Sequence, residues 1–170
     1  SYADLPGGGL MTTYTNRNGE QQIYEHDSGY HLMRYVNALG AETTYTYNSE
    51  GERTSIRDPL GRTSTFEFDD RGNITRVVDP AVNATEMRYS SERNLTRITD
   101  AMGQETRFNY NGGNVTQVID ALDNRTTKGY GGNGQLISNI MDDGAGVDYT
   151  YSGGMVTGAR RIDANGSKVE

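Results

Sequence analysis

Hydrophobic and polar positions alternate residue by residue in short segments of this chain, and those segments return at a fixed interval. Tyr47, Phe68, Tyr89, Tyr110, Tyr130 and Tyr151 lie 21, 21, 21, 20 and 21 residues apart. Two residues before them stand Tyr45, Phe66, Met87, Phe108, Lys128 and Tyr149. Four residues before them stand Thr43, Ser64, Thr85, Thr106, Thr126 and Val147. Side chains two apart share one face of a strand. Each copy therefore predicts a strand with aromatic and hydroxyl side chains on one face. Thr43-Thr44-Tyr45-Thr46-Tyr47 is built almost wholly of β-forming residues.

Turns follow in register. After the second aromatic come Asn48-Ser49-Glu50-Gly51, Asp69-Asp70-Arg71-Gly72 and the shorter Asn111-Gly112-Gly113. Asp or Asn at the first place and Gly at the last suit a type I turn. A second strand is predicted next, as in Asn73-Ile74-Thr75-Arg76-Val77-Val78. A further set of turns then closes each copy: Asp58-Pro59-Leu60-Gly61, Asp79-Pro80-Ala81-Val82, Asp100-Ala101-Met102-Gly103 and Asp120-Ala121-Leu122-Asp123. Proline presets φ at the second turn position, and glycine supplies a permissive exit.

The pattern reaches beyond these copies. One period before Tyr47 stands His26, with Tyr24 two residues earlier and Asn37-Ala38-Leu39-Gly40 after it. Tyr14 with Asn16-Arg17-Asn18-Gly19, and Asp163-Ala164-Asn165-Gly166 near the other end, continue the series. Residues 1–170 are expected to form one array of about eight repeats, the terminal copies degenerate. The expected fold is all-β, an antiparallel meander of tandem hairpin repeats of about 21 residues. So many strands should not stay flat, because sheets twist and curl. A curved or spiralling wall around a cavity follows. A parallel β-helix fits the alternating tight turns less well. Choline-binding repeats need Trp, which is absent.

Composition narrows this picture. Only 33% of residues are hydrophobic, Gly numbers 22, and Trp and Cys are absent, so a closed oily core is not expected. The 12 tyrosines and the strict period argue against disorder. Sixteen basic against 23 acidic residues give a net charge of −7. Arginines recur singly rather than as a patch, so neither nucleic acid nor an anionic membrane is expected as a partner. No apolar run is long enough for a membrane-spanning helix. The start, Ser1-Tyr2-Ala3-Asp4, resembles neither a signal peptide nor an initiating Met. A piece of a longer or processed chain is the expectation.

Candidate chemistry is thin. His26 and His31 are the only histidines, with Asp27-Ser28 beside the first, yet neighbours in sequence do not make a triad. His26 also holds a repeat aromatic position. Asp69-Asp70 fills a turn, where Asx hydrogen bonding explains it. Asp142-Asp143, in an irregular copy, is the better ion candidate. Sequons such as Asn73-Ile74-Thr75 and Asn94-Leu95-Thr96 arise from turn asparagines and strand threonines repeated together. No catalytic, cofactor or metal residue is assigned. The alternative to a purely structural role is a cell-surface repeat module that binds carbohydrate, by stacking sugars on an exposed tyrosine ladder, or protein. Unpaired edge strands make self-association a further expectation.

The segments Tyr45-Thr46-Tyr47-Asn48-Ser49-Glu50-Gly51 and Phe66-Glu67-Phe68-Asp69-Asp70-Arg71-Gly72-Asn73-Ile74-Thr75, with Asp79-Pro80 and Asp100-Ala101-Met102-Gly103, resemble YD repeats. These occur in Rhs proteins, wall-associated proteins, insecticidal toxin-complex C components and teneurins. Arg93 in place of the turn glycine, Lys128 in place of an aromatic, and the irregularity at Asp142-Asp143 depart from the pattern. The resemblance implies a hollow β-cocoon around a C-terminal toxin or effector, secreted or at the cell surface. The implied partners are the rest of the shell and its enclosed cargo. The family's autoproteolytic Asp lies in a separate motif that no segment here matches. On this resemblance Tyr45, Tyr47, Phe66, Phe68, Tyr89, Phe108, Tyr110, Tyr130, Tyr149 and Tyr151 are structural aromatics. Asp58, Pro59, Gly61, Gly72, Asp79, Pro80, Asp100, Gly103 and Asp120 are its turn residues.

Overall fold

A computed structural model describes residues 1–169 of the chain, and every regular element in them is a β-strand. The chain divides into two compact units, residues 1–86 and 87–170. In the first unit β1 (Tyr2–Leu5), β2 (Gly9–Thr15), β3 (Gln21–His26) and β4 (Leu32–Val36) come first. They are followed by β5 (Glu42–Tyr47), β6 (Arg53–Arg57), β7 (Thr63–Phe68) and β8 (Ile74–Val78). Strand β9 (Ala84–Tyr89) runs across the boundary. The second unit continues with β10 (Leu95–Thr99), β11 (Glu105–Asn111), β12 (Asn114–Ile119) and β13 (Arg125–Tyr130). It ends with β14 (Leu136–Met141), β15 (Gly146–Ser152), β16 (Met155–Ile162) and β17 (Lys168–Val169). Within each unit every strand pairs antiparallel with the next in sequence, which makes a meander.

Sequence period becomes register. Tyr45 lies opposite Ile56, Phe66 opposite Val77, and Phe108 opposite Val118. Aromatic and branched aliphatic side chains thus meet as cross-strand pairs, each contributing roughly 0.2–1 kcal/mol. Just before the second aromatic the register slips by one residue, at Tyr47, Phe68, Tyr110, Tyr130 and Tyr151. The extra residue of each bulge is Thr54, Thr75, Thr116, Ile137 or Thr157. Such bulges bend the strand and raise its local twist. The hydroxyls of Thr54, Thr116 and Thr157 bond across the pair, Thr116 to the Asn109 carbonyl at 3.3 Å.

Neither unit builds a deep core. Among the described residues the one buried hydrophobic side chain is Ile162. Strand β7 shows how the rest is arranged: Thr63, Thr65 and Glu67 are exposed, while Ser64, Phe66 and Phe68 are half-buried. The opposite face carries charge. Arg34 pairs with Glu25 at 2.7 Å and Glu42 at 2.8 Å, and Arg76 pairs with Glu67 at 3.0 Å. Partly exposed pairs of this kind contribute little to stability individually. Cohesion therefore lies in the ladder, its half-buried face and its turns.

Most turns share one geometry. Gly51 N–H donates to the Asn48 carbonyl at 3.1 Å, and Asn48 N–H donates to the Glu52 carbonyl at 3.0 Å. This is a three-residue hairpin loop, a type I turn followed by one left-handed residue. Gly51, Gly61, Gly72 and Gly103 supply that residue with φ of 83, 78, 80 and 80°. Where glycine is missing the conformation persists: Val82 and Arg93 hold φ of 67 and 66°. The departure at Arg93 therefore changes the residue and leaves the turn intact. The two-residue loops Gly112-Gly113 and Gly153-Gly154, with both φ values positive, are type I′ hairpins. The first of them shortens its copy and explains the 20-residue step from Tyr110 to Tyr130.

A β-branched residue in the left-handed region is strained. Val82→Gly is therefore expected to stabilise the chain by about 1 kcal/mol, after the cost of a more flexible unfolded state. Thermal denaturation of the two proteins checks this, and an unchanged or lower Tm would contradict it.

Candidate functional site

Two motifs recur at the ends of the hairpins, one at the turn aspartates and asparagines and one at the second aromatic of each copy. In the first, a turn carboxylate or amide gathers backbone N–H groups. Asp58 Oδ1 accepts from Leu60 N–H at 2.9 Å and from Arg62 N–H at 3.0 Å. Asp79, Asp100 and Asp120 bind the N–H groups two and four residues on in the same way, at 2.8–2.9 Å. The second carboxylate oxygen is closed by the side chain four residues on. Asn73, Asn83 and Asn124 donate Nδ2–H to Asp69, Asp79 and Asp120 at 2.9, 2.8 and 2.8 Å. Arg62 does the same to Asp58 through Nε at 2.7 Å. These asparagines open the sequons at 73, 83 and 124, and Thr75 is a bulge residue. The sequons at 83 and 124 instead end on regularly paired strand threonines, Thr85 and Thr126.

Such donors hold the carboxylates of Asp27, Asp58, Asp69, Asp79 and Asp120 below the ordinary value of 3.8. The foremost cause is the side chain four residues on for Asp58, Asp69, Asp79 and Asp120, and the His31 backbone N–H for Asp27. A carboxylate with a lowered folded pKa stabilises fully above its unfolded pKa, and that contribution is lost as pH falls through the folded value. Stability is therefore expected to fall below about pH 4. Asn16, Asn37 and Asn48 make the same turn with an amide oxygen. A fivefold Asp→Asn variant at 27, 58, 69, 79 and 120 should thus keep the fold and flatten the acid limb. An unaltered profile of Tm against pH would refute this origin.

In the second motif, a tyrosine hydroxyl reaches back by 15 residues to a backbone carbonyl. Tyr47 donates to Leu32 O at 3.0 Å, Tyr110 to Leu95 O at 2.8 Å, Tyr130 to Val115 O at 2.9 Å and Tyr151 to Leu136 O at 2.8 Å. Three of these acceptors stand opposite the previous aromatic: Leu32 opposite His26, Val115 opposite Tyr110 and Leu136 opposite Tyr130. Burial pushes the Tyr110 hydroxyl above its ordinary value of 10.0. Alternation along the strand points to packing for these aromatics and carries no sign of the distant carbonyl that the hydroxyl reaches. The available signal is the predominance of Tyr over Phe at this position. Phe68 lacks the hydroxyl, and the corresponding carbonyl is that of Arg53, which lies opposite Tyr47. Phe68→Tyr is expected to add about 1 kcal/mol of stability, the usual net value of one hydrogen bond. A loss of stability in urea denaturation would contradict it.

The remaining candidates have local roles. His31 Nδ1 lies 3.0 Å from Asp27 Oδ2, and its ring stacks on Tyr47 at 4.8 Å. It holds the place relative to Asp27 that Asn73 holds relative to Asp69, so the Asp–His pair closes a turn. Lys128 faces Asn139 and donates to its Oδ1 at 2.7 Å. Here a polar pair has replaced the aromatic–aliphatic one. Asp142 Oδ2 accepts from Arg125 N–H at 2.8 Å, and Asp143 Oδ1 from Ala145 N–H at 2.9 Å. No group of three or more metal-ligating side chains occurs among the described residues.

Two clefts lie between successive hairpin tips. One, about 350 Å³, is lined by Asn48, Glu50, Glu52, Phe68, Asp69 and Gly72 among others. The other, about 580 Å³, includes Ser90, Asn94, Phe108, Tyr110 and Gly112. Both have an aromatic among their lining residues.

A family model described as "Teneurin YD-shell" matches residues 9–168. The chain belongs to the teneurin YD-shell family. At Tyr47-Asn48 a tyrosine clamp is followed directly by an Asx turn, and at Phe68-Asp69 the Asx turn follows an aromatic without the hydroxyl. YD-shell repeats are structural, and the chain is a structural shell segment on that ground. Among solved structures, the fold is similar to the Photorhabdus luminescens Tc holotoxin pore carrying a TccC3 mutation. The TM-score is 0.70 at 14% identity, over 95% of this chain and 11% of that one. A TcdB2-TccC3-TEV crystal structure matches with a TM-score of 0.60 at 12% identity, over 99% of this chain and 10% of that one. The YD-shell chain thus spans about a tenth of the length of these structures. No curated protein matches it.

Proposed function

We propose that this chain is an arc of wall in a shell that encloses a C-terminal toxin or effector. The observation that carries the reading is the hairpin array itself. It is stabilised from neighbour to neighbour and leaves one face aromatic and half-buried and the other charged. Family membership and the likeness to Tc toxin structures support it. The wall acts by steric enclosure and performs no reaction. Residues 1–170 form a single array of about eight repeats, part of a curved or spiralling sheet. Its setting is secreted or at a cell surface, and its partners are the rest of the shell and the enclosed domain. A sugar-stacking role for the tyrosines draws less support, because Tyr47, Tyr110, Tyr130 and Tyr151 commit their hydroxyls to backbone carbonyls.

Limited proteolysis of the intact protein tests the reading. The domain that follows the repeats should resist a protease that digests the same domain expressed alone. Equal rates of digestion would sink the proposal.

A further inference from the structure

Four asparagine–glycine pairs occur in the chain, at 18–19, 111–112, 133–134 and 165–166. Glycine has no side chain to shield its backbone nitrogen, and its main chain turns freely. That nitrogen is therefore placed to attack the side-chain amide of the asparagine before it. The structure sets one pair apart from the other three.

Asn18, Asn133 and Asn165 stand at the third place of their turns, and the glycine after each is held. Gly19, Gly134 and Gly166 donate N–H to the carbonyls of Asn16, Gly131 and Asp163 at 3.1, 2.9 and 2.9 Å. Two of the side-chain amides are held as well. Asn133 donates Nδ2–H to Gln135 Oε1 at 2.6 Å, and Asn165 Oδ1 accepts from Ser167 N–H at 2.8 Å. Asn111 instead ends β11 opposite Asn114, with the two-residue loop Gly112-Gly113 between them. Among the described residues neither Gly112 N–H nor the Asn111 side chain makes a hydrogen bond. Asn111, Gly112 and Gly113 are all exposed, and nothing lies within 4 Å of a Cβ built at either glycine. Two consecutive glycines after the asparagine leave the hairpin tip free to rotate into the attacking geometry.

We infer that Asn111 is a site of spontaneous deamidation, with water as the co-reactant. The Gly112 nitrogen bonds to Asn111 Cγ, its proton passes to the departing amide nitrogen, and ammonia leaves. A cyclic imide now joins the two residues. Water opens that ring at either carbonyl, and nothing is oxidised or reduced. One opening gives aspartate on an unaltered main chain. The other gives isoaspartate, whose main chain runs through the former side chain and is one methylene longer. That methylene falls where the Asn111–Asn114 pair closes the hairpin. Tyr110 stands beside it, with its hydroxyl on the Leu95 carbonyl at 2.8 Å. The isoaspartyl form therefore loosens the tyrosine clamp, an ageing of one hairpin that needs no enzyme.

The test incubates the intact protein in mildly alkaline heavy-oxygen water and follows it by peptide mapping. Residue 111 should gain the label with the mass change of amide-to-acid exchange, divided between aspartate and isoaspartate. Conversion there should run at least about fivefold ahead of Asn18, Asn133 and Asn165, the factor for one hydrogen bond that must break first. Conversion fastest at another pair, or equal at all four, would overturn the inference. Asn111→Gln keeps the amide but closes its larger imide ring far more slowly. After incubation, amide hydrogen exchange should show lost protection along β11 and β12 in the unsubstituted protein and none in the variant. Equal losses in the two would overturn the link to the clamp.

Discussion

Tyr110→Ala is expected to destabilise the array by about 3 kcal/mol, the range for removing a large aromatic from a packed position. Two losses combine in that figure. The ring is half-buried beside the turn at 111–114, and its hydroxyl closes the Leu95 carbonyl at 2.8 Å. Tyr110→Phe separates them. It keeps the ring, removes the hydrogen bond and should cost about 1 kcal/mol. Asp70→Ala, at an exposed turn position, should cost much less than either. Urea denaturation of the three variants gives the comparison, and equal small losses would refute the clamp.

Gly146→Ala is expected to cost about 3 kcal/mol for a different reason, the overpacking of a close backbone approach. A Cβ there would lie 2.2 Å from the Asn139 carbonyl oxygen and 2.9 Å from Ile140 Cα. Backbone cannot move aside as a side-chain tip can, so β14 and β15 must separate. Gly103→Ala is the control. Its φ of 80° strains an alanine, but nothing lies within 4 Å of the new Cβ, and about 1 kcal/mol should be lost. Amide hydrogen exchange should show the Gly146 variant losing protection along β14 and β15. Similar losses in the two variants would overturn the argument.

The hairpin register was legible because its signals are local. Alternation at Tyr45, Tyr47, Phe66 and Phe68 named the strands, and Asp58-Pro59 and Asp79-Pro80 named the turns. Assignments that rest on glycine were less secure in sequence. Val82 and Arg93 show that a left-handed position can be imposed by its neighbours on either side. What stayed hidden was pairing across repeats. No local pattern announces that Tyr110 finds a carbonyl at Leu95, or that Asp142 serves Arg125. The apolar turn residues Leu39, Leu60, Met102 and Leu122 were visible as letters. The meander puts Leu39 and Leu60 at exposed turns of the first unit and Met102 and Leu122 at exposed turns of the second. The Lys128–Asn139 pair had to be seen as a pair before the lysine ceased to look like a defect.

The tyrosine clamp has a direction, and that direction matters to a chain emerging from a ribosome. Each hydroxyl closes a carbonyl made 15 residues earlier, never one still to be made. A nascent hairpin is thus locked by the strand translated immediately after it, with no distant segment to await. Contacts this short in sequence favour rapid, sequential folding. The wall can be laid down in the order of its synthesis, one course fastening the last.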